Sequence, residues 1–321
     1  MNKSAHQPDP LFDAVLRGEP RAMGRAISLI ENRSDGADQL LRHLFTHSGR
    51  ALLAGITGAP GAGKSTLVDQ LAVLLRGQQK QVGILAVDPS SPFTGGAILG
   101  DRIRMQRHHA DDGIFIRSMA TRGALGGLAR ATSDVATLLD AAGKDVVLVE
   151  TVGVGQDEVD VVRLADVTIV VLVPGMGDDV QTFKAGIMEI ADVFAINKAD
   201  RPGSQRIEQE ITAMLSISQR ADGWRPPIIP TVATEGKGIA EMWAAAESYL
   251  AHLKEKGLLA QKKAVNWRNR LVDLLRDRLF ERLALTEEAL NAQGLRIASR
   301  EMDPYSVVDE ILTSSGLGTK R

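Results

Sequence analysis

The sequence predicts an α/β fold with a mostly parallel central sheet flanked by helices. Seven short apolar runs occur between residues 51 and 232, and most lack the alternation of apolar and polar residues that marks a half-exposed strand. Helix-compatible stretches separate several of these runs, which is the order expected of βαβ units. The predicted strands are Ala51–Thr57, Val82–Val87, Ile114–Ile116, Val146–Val149, Val167–Val173, Val193–Ile196 and Ile228–Val232.

Helical patterns fill most of the rest of the chain. Residues 1–50 are predicted to be helical because apolar residues recur at spacings of three and four. No strand is predicted after residue 238. We therefore expect an N-terminal helical segment at 1–50, a central domain at 51–256 and a C-terminal helical region at 257–321. The later predicted helices are Ser65–Arg76, Leu125–Ala142, Gln205–Ser216, Ile239–Lys256, Trp267–Leu285 and Val307–Thr313.

One of the C-terminal helices carries an amphipathic face. Its leucines lie at helical spacing, at Leu271, Leu274, Leu275 and Leu279. Such a face either covers the sheet or forms an oligomer interface, and periodicity alone does not distinguish the two.

The composition excludes several classes of protein. The 38 Lys and Arg nearly balance the 40 Asp and Glu, for a formal charge of −2, whereas a general nucleic-acid binder usually has a basic excess. The chain has no cysteine, which excludes disulfides, thiolate catalysis and cysteine-based metal sites. It has no apolar run of membrane-spanning length, and its polar first ten residues lack a signal core. We expect a cytoplasmic protein.

The first motif that indicates chemistry follows the first predicted strand. It fits G-x-x-x-x-G-K-[ST], a phosphate loop whose backbone N–H groups point at phosphate oxygens. The lysine adds a cation for the β- and γ-phosphates, the serine hydroxyl can enter a Mg²⁺ shell, and the next helix points its positive end at the anion. A strand before it and a helix after it favour this reading over a chance match. Its residues are Gly58, Ala59, Pro60, Gly61, Ala62, Gly63, Lys64, Ser65 and Thr66.

A second motif, Asn197-Lys198-Ala199-Asp200, comes at the end of a later predicted strand and resembles the N-K-x-D motif of GTPases. The Asp200 carboxylate would accept hydrogen bonds from N1–H and the exocyclic amine of guanine, whereas adenine has no donor at N1. Asn197 would reach the base edge and the Lys198 stem would cover the ring. Backbone groups at Ala233 and Thr234 would complete the pocket. These residues predict guanine as the base.

Acidic residues at strand ends are candidates for holding Mg²⁺. Glu150 ends a buried strand and would hold the metal, while Gly153 could present its N–H to the γ-phosphate. Asp88 ends the second strand, and Asp101 lies thirteen residues later beyond a Gly-rich segment. From spacing alone, Asp88 and Asp101 are equally well read as solvated loop charges.

Two further features of the sequence concern the attacking water and the binding of a transition metal. In Ras-like enzymes a Gln follows the D-x-x-G glycine and positions the attacking water, but Val154 stands there in this chain. No residue is therefore assigned that role. The adjacent His108 and His109 point in different directions on any regular element, so they do not predict a chelate, and no tightly bound transition metal is expected.

Taken together, these motifs resemble the MeaB/ArgK-type GTPases, the methylmalonyl-CoA mutase-associated G-protein chaperones of the SIMIBI class. The resemblance spans roughly residues 10–312 and includes Met302–Tyr305. The motifs that carry it are Gly58–Thr66, Val87–Ser91, Gly100–Met105, Glu150–Gln156 and Asn197–Asp200.

The resemblance implies a homodimeric GTPase, with GTP or GDP and Mg²⁺ bound. It implies that the protein docks on an adenosylcobalamin-dependent acyl-CoA mutase and gates the loading and protection of the cofactor, with a cobalamin adenosyltransferase as a further partner. It makes Asp88, Asp101 and Glu150 metal and switch positions, and Lys64, Asp88 and Asp101 the catalytic set. The loop Pro174–Lys184 would be an added switch that couples to the partner. Its candidate contacts are Asp178, Gln181 and Lys184.

The same resemblance implies that the helices after residue 260 form a dimerisation arm and that the first fifty residues contribute to partner contact. Methylmalonyl-CoA mutase is the default client, with isobutyryl-CoA-type mutases as the alternative. Three other functions compete: a metal-delivering maturation GTPase, disfavoured by the absence of cysteine; a protein kinase for a transport system, the label attached to some relatives; and a nucleotide-gated binding module with negligible turnover.

Overall fold

The computed structural model of the chain describes residues 10–88, 108, 110–120, 127–151, 164–175, 190–217, 220–283 and 285–316. Two compact units are present, a larger one that ends at Asn266 and a smaller one that begins at Trp267. The catalytic candidate Asp101 lies outside the described residues, as do His109, Gly153, Val154, Asp178, Gln181 and Lys184.

All seven predicted strands are present, and they form one parallel sheet. Its order is β3-β2-β4-β1-β5-β6-β7, so the central strand β1 lies between β4 and β5. The sheet with helices on both faces confirms the predicted fold class. The strands are β1 Leu52–Gly58, β2 Val82–Asp88, β3 Ile114–Ala120, β4 Val146–Thr151, β5 Val167–Leu172, β6 Val193–Asn197 and β7 Ile228–Thr231.

Helices occupy most of the remaining described chain. The N-terminal segment contains α1 Pro10–Leu16, α2 Pro20–Glu31 and α3 Ala37–Phe45. A single 3₁₀ turn at Ala233–Glu235 follows β7. The later helices are α4 Lys64–Gly77, α5 Gly127–Ala141, α6 Ser204–Ile217, α7 Ile239–Glu255, α8 Leu259–Arg282, α9 Glu287–Ala298 and α10 Pro304–Ser314.

The differences from the predicted elements include two boundaries and one missed helix. The strand β3 continues past Ile116 to Ala120 because it pairs with β2 along its full length, although the polar Arg117 and Ser118 interrupt its apolar run. The helix α8 begins at Leu259 rather than Trp267, since Leu259 packs on the core below it. The helix α9 was missed altogether. Its signal is the cap at Thr286, whose hydroxyl accepts a hydrogen bond from the Ala289 N–H.

The two faces of the sheet are covered by different parts of the chain. On one face α4 and α7 pack over the strands, with Trp243 and Tyr249 fully buried. On the other face α5 and the three N-terminal helices form a second apolar cluster, in which Val15, Ile27 and Leu44 are inaccessible to solvent. Burying each such aliphatic side chain contributes about 1.5 to 3 kcal/mol. Residues 10–45 are therefore part of the larger unit.

The amino edge of the sheet, where the strands begin, is fixed by buried carboxylates. Asp140 accepts hydrogen bonds from the N–H groups of Gly49, Arg50 and Ala51 just before β1. Asp166 accepts one from the Leu53 N–H, and Asp192 accepts one from the Thr168 N–H. These contacts satisfy backbone donors at strand starts and hold the strands in register.

Candidate nucleotide-binding site

The phosphate loop lies at the carboxyl edge of the sheet, between β1 and α4. Gly58 has φ 139°, and a Cβ there would lie 2.1 Å from the Val171 carbonyl oxygen. Gly63 has φ 87°, and a Cβ there would lie 2.5 Å from Asn197 Nδ2. Only glycine fits either position, because the backbone must approach β5 and the end of β6 closely. Since α4 begins at Lys64, its positive end points into this loop.

Lys64 is 5% exposed and its ammonium lies inside the curve of the loop. Its Nζ donates to the carbonyl oxygens of Gly58 at 2.6 Å and Ala59 at 2.9 Å. The cation is thus directed at the place where the loop would hold an anion. Phosphate oxygens can replace the neutral carbonyl groups as acceptors of its hydrogen bonds, because hydrogen bonds between charged groups are stronger.

Ser65 and Glu150, both predicted metal positions, are brought together by the structure. The Ser65 hydroxyl donates to Glu150 Oε1 at 2.6 Å, and Glu150 is buried. Glu150 lies beside Ile56 of β1 and Ala86 of β2 in the register of the sheet. Asp88 is the last residue of β2, two positions beyond Ala86, so its backbone reaches the same edge.

The N-K-x-D motif follows β6 directly and contacts the phosphate loop. Asn197 is buried; its Nδ2 donates to the Ala62 carbonyl at 2.8 Å and its Oδ1 accepts from the Ala233 N–H at 3.1 Å. Asn197 was predicted to reach the base edge, and in this structure its amide ties the phosphate loop to the 3₁₀ turn. The Thr231 hydroxyl also donates to Asn197 Oδ1, at 3.3 Å, and these partners fix the amide orientation.

Lys198 and Asp200, the next charged residues of the motif, lie near the phosphate loop and at the surface respectively. Lys198 has φ 57°, and its Nζ donates to the Gly61 carbonyl at 2.8 Å, so its stem extends across the mouth of the loop. Asp200 is exposed, as is Thr234, while Ala233, the first residue of the 3₁₀ turn, is buried. An exposed carboxylate beside a lysine stem can accept two donors from a flat base.

The family model described as methylmalonyl-CoA mutase-associated GTPase MeaB matches residues 23–288. The chain belongs to this family. It is a P-loop GTPase, and membership of this family implies that it binds GTP and GDP.

Relatives of this GTPase span nearly the whole chain. A protein named as a GTPase from Pyrococcus abyssi is 48% identical over 313 residues, 95% of either chain. The GTPase ArgK of Escherichia coli is 38% identical over 264 residues, 79% of this chain and 80% of its own. The mouse protein named methylmalonic aciduria type A homolog, mitochondrial, is 31% identical over 325 residues, 95% of this chain and 78% of its own.

Among solved structures, that of a protein named LAO/AO transport system kinase has the same fold with a TM-score of 0.72 and 28% identity. The alignment covers 94% of this chain and 95% of that one. No helix among the described residues is long and apolar enough to cross a membrane.

The histidine pair raised in the sequence has one described member. His108 is buried, and its Nε2 lies 2.6 Å from Asp69 Oδ1 on α4. This pairing was not predicted. Its signal is Asp69 itself, a carboxylate between the buried Val68 and Leu71 that needs a polar partner. Within the described ranges, no three metal-ligating side chains cluster as a metal site would require.

Proposed function

We propose that this GTPase hydrolyses GTP to gate adenosylcobalamin loading and protection on a cobalamin-dependent acyl-CoA mutase, with methylmalonyl-CoA mutase as the default client. The observation that carries the hydrolytic half is the buried contact of Ser65 with Glu150 beside the Lys64 ammonium. The client half is supported by the description of the family and by the name of the mouse relative.

The residues at the carboxyl edge fit Mg²⁺. A serine hydroxyl and a carboxylate held 2.6 Å apart are hard oxygen donors, which Mg²⁺ prefers. Ser65 and Glu150 would hold the ion, with Asp88 and Asp101 as further ligands. Bound there, Mg²⁺ would neutralise charge on the phosphates. Lys64 would bind the β- and γ-phosphates, and the Gly153 N–H would donate to the γ-phosphate.

We propose guanine as the base of the bound nucleotide. Asp200 would accept from N1–H and the exocyclic amine, and Lys198 would cover the ring. Ala233 and Thr234 would close the pocket through backbone groups. Asn197 serves these residues indirectly, because it holds the turn at Ala233 against the phosphate loop.

We further propose a homodimer formed through α8. Leu271, Leu275 and Leu279 recur every four residues, and they are 57%, 54% and 47% exposed. A second copy would bring the same stripe to a two-fold axis, which makes the contact self-complementary. The pair Leu271→Glu and Leu275→Glu should yield monomers in light scattering. Leu295→Glu on α9, a leucine that is 72% exposed, should leave the dimer intact, and dimers of the first variant would contradict the proposal.

Partner coupling is proposed for the loop that contains Asp178, Gln181 and Lys184, with a cobalamin adenosyltransferase as the second partner. The test of the whole function is GTP turnover with and without purified methylmalonyl-CoA mutase. Stimulation by the mutase supports the chaperone. The similar protein named as a transport system kinase supplies the competing outcome, namely radiolabelled phosphate transferred from GTP to another protein.

A further inference from the structure

The surface of α2 carries two cavities that share a pair of arginines. A cavity of about 640 Å³ lies on one side, and its lining includes Arg21, Arg25 and Ser28 of α2, Asn32 just after the helix, and Arg117 of β3. A second cavity of about 350 Å³ lies on the other side, between α2 and α1, and Arg21 and Arg25 line it as well. Both arginines are exposed.

The charges around these cavities do not cancel. Arg117 forms a two-pronged ion pair with Glu31, and Glu19 pairs with Arg17 at 2.8 Å. Within the described part of the chain, Arg21 and Arg25 have no carboxylate at ion-pair distance. The α2 surface is therefore locally positive on a protein whose formal charge is −2.

The two arginines of α2 also repel each other. Arg21 and Arg25 are one helical turn apart, and like charges at this spacing destabilise an isolated helix by a few tenths of a kcal/mol. An anionic ligand removes that repulsion. Arginine is also the side chain that binds a carboxylate with two parallel hydrogen bonds.

The linings of the cavities indicate which anion fits. The larger one offers Ser28, Ser34 and Asn32 as neutral hydrogen-bonding groups, whereas the smaller one is lined by Leu11, Ala14 and other apolar side chains together with Glu19, whose carboxylate is paired with Arg17. A free phosphate would use the arginines and the neutral groups, but not the apolar side chains of the smaller cavity. An extended peptide that bears both carboxylates and an apolar side chain would use the arginines and both cavities.

We propose that this surface, the α2 arginine groove, docks an acidic segment of the partner protein that also carries an apolar side chain. The inference rests on the proposed function in taking the partner to be the mutase. The place of the groove in the fold also supports the proposal. Arg117 lies on β3, three residues before Ala120, and Ala120 pairs with Asp88 at the carboxyl edge. At about 3.3 Å per residue, a partner seated in the groove lies about 10 Å along the strand from that edge.

The test compares Arg21→Gln/Arg25→Gln with a matched control, Arg206→Gln/Arg225→Gln, in which two exposed arginines outside the groove are changed. The first probe is a blocked hexapeptide of four glutamates and two leucines, titrated by calorimetry at about 50 mM and about 300 mM salt. The full-length protein should bind it, more weakly at the higher salt. The groove variant should lose affinity about tenfold or more, and the control should stay within about twofold.

The second readout is mutase-stimulated GTP turnover. The groove variant should need about tenfold more mutase for half-maximal stimulation, with basal turnover unchanged. An unchanged mutase requirement overturns the groove as a docking site while leaving the proposed function intact. If the mutase stimulates GTP turnover in neither the wild-type protein nor the variants, the proposed function fails. The peptide titration then still tests whether the groove binds an acidic segment.

Two other occupants would also overturn the inference. Inorganic phosphate that binds as tightly as the peptide and displaces it would make the groove a small-anion site. A variant that lacks residues 1–9 tests whether the chain's own N-terminal segment occupies the groove. If this deletion raises the affinity for the peptide about tenfold, that segment is the occupant. That segment has only one carboxylate, Asp9, and one lysine, Lys3, so its charge does not complement the arginines.

Discussion

Lys64 and Lys144 are both buried lysines, 5% and 6% exposed, but they lie at opposite edges of the same sheet. Lys64, at the carboxyl edge, donates to two carbonyls of the glycine-rich loop that it follows. Lys144, at the amino edge, donates to the Gly113 carbonyl and to Gln81 Oε1. Burial lowers the pKa of the Lys144 ammonium. One cation faces a loop shaped for an anion, and the other joins the starts of neighbouring strands.

The buried carboxylates of the two edges differ in the same way. Asp192 at the amino edge accepts from Arg220 at 2.9 Å, from Lys262 at 3.0 Å and from a backbone N–H. Glu150 at the carboxyl edge accepts from the Ser65 hydroxyl. Carboxylates joined to cations and strand starts stabilise the fold, whereas Glu150, beside a hydroxyl and the phosphate loop, is the one that we propose to hold Mg²⁺. The comparison predicts that mutations at the two edges have separable effects.

The largest expected effect is that of Lys64→Ala. Removing the ammonium should weaken GTP binding about a thousandfold, because it removes a charged contact to phosphate from a site that excludes water. Fluorescence titration with a labelled GTP analogue measures this. Lys144→Ala is the control: it should lower the free energy of unfolding and leave GTP affinity within about threefold. Unchanged affinity in Lys64→Ala would remove the basis for the comparison.

Asp192→Asn should have the next largest effect, on stability alone. It leaves Lys262 without its buried counter-charge and Arg220 with Asp222 as its remaining carboxylate partner, which costs about 3 kcal/mol of unfolding free energy. Urea unfolding followed by circular dichroism checks this, with the exposed Asp35→Asn as control. A stable variant with impaired GTP binding would show that the amino edge also serves the ligand.

Asp200→Asn should weaken GTP binding about thirtyfold, since guanine N1–H and the amine would lose a charged acceptor. The variant should gain preference for xanthosine triphosphate, which offers an acceptor where guanine has an amine. Competition binding with the two nucleotides measures the change. Retained guanine selectivity would mean that the base lies elsewhere.

The smallest predicted effect is a pH dependence at the amino edge. Burial raises the pKa of the Asp166 carboxyl above its ordinary value. The folded state therefore holds this proton to higher pH than the unfolded state, and stability falls as pH rises from the ordinary pKa through the raised one. Asp166→Asn removes that loss.

The measurement for Asp166 is urea unfolding at about pH 4 and about pH 7. The variant should gain stability relative to the wild type between these two values, because the asparagine carbonyl still accepts from the Leu53 N–H. An identical pH dependence in both proteins would contradict the assignment.

Much of the fold could be predicted because the strands are buried on both faces and read as apolar runs. The bounds of elements that depend on contacts between residues far apart in the sequence could not be predicted from the sequence alone. Ser118 continues β3 only because β2 pairs with it, and the charged start of α8 is helical because Lys262 meets Asp192 across the chain. The helix α9 buries little, so its periodicity is weak and only the Thr286 cap marks it.

In the candidate site as well, the residues could be predicted from the sequence, but several of their contacts could not. Lys64, Ser65 and Glu150 were predicted from local motifs and strand ends, and the structure brings them to one edge. The contacts of Asn197 could not be predicted, because its partners Ala62 and Ala233 lie far from it in sequence. The same holds for Asp69 with His108. A motif indicates which chemistry is present, whereas the fold determines which side chain holds another in place.

The central claim is that the carboxyl edge binds the nucleotide with Mg²⁺ and that the amino edge only holds the sheet. The most direct test is the Mg²⁺ dependence of GTP turnover in Glu150→Gln and Asp192→Asn, alongside their unfolding free energies. We predict that Glu150→Gln needs about tenfold or more Mg²⁺ at nearly unchanged stability, while Asp192→Asn loses stability at an unchanged Mg²⁺ requirement. A wild-type Mg²⁺ dependence in Glu150→Gln would contradict the account.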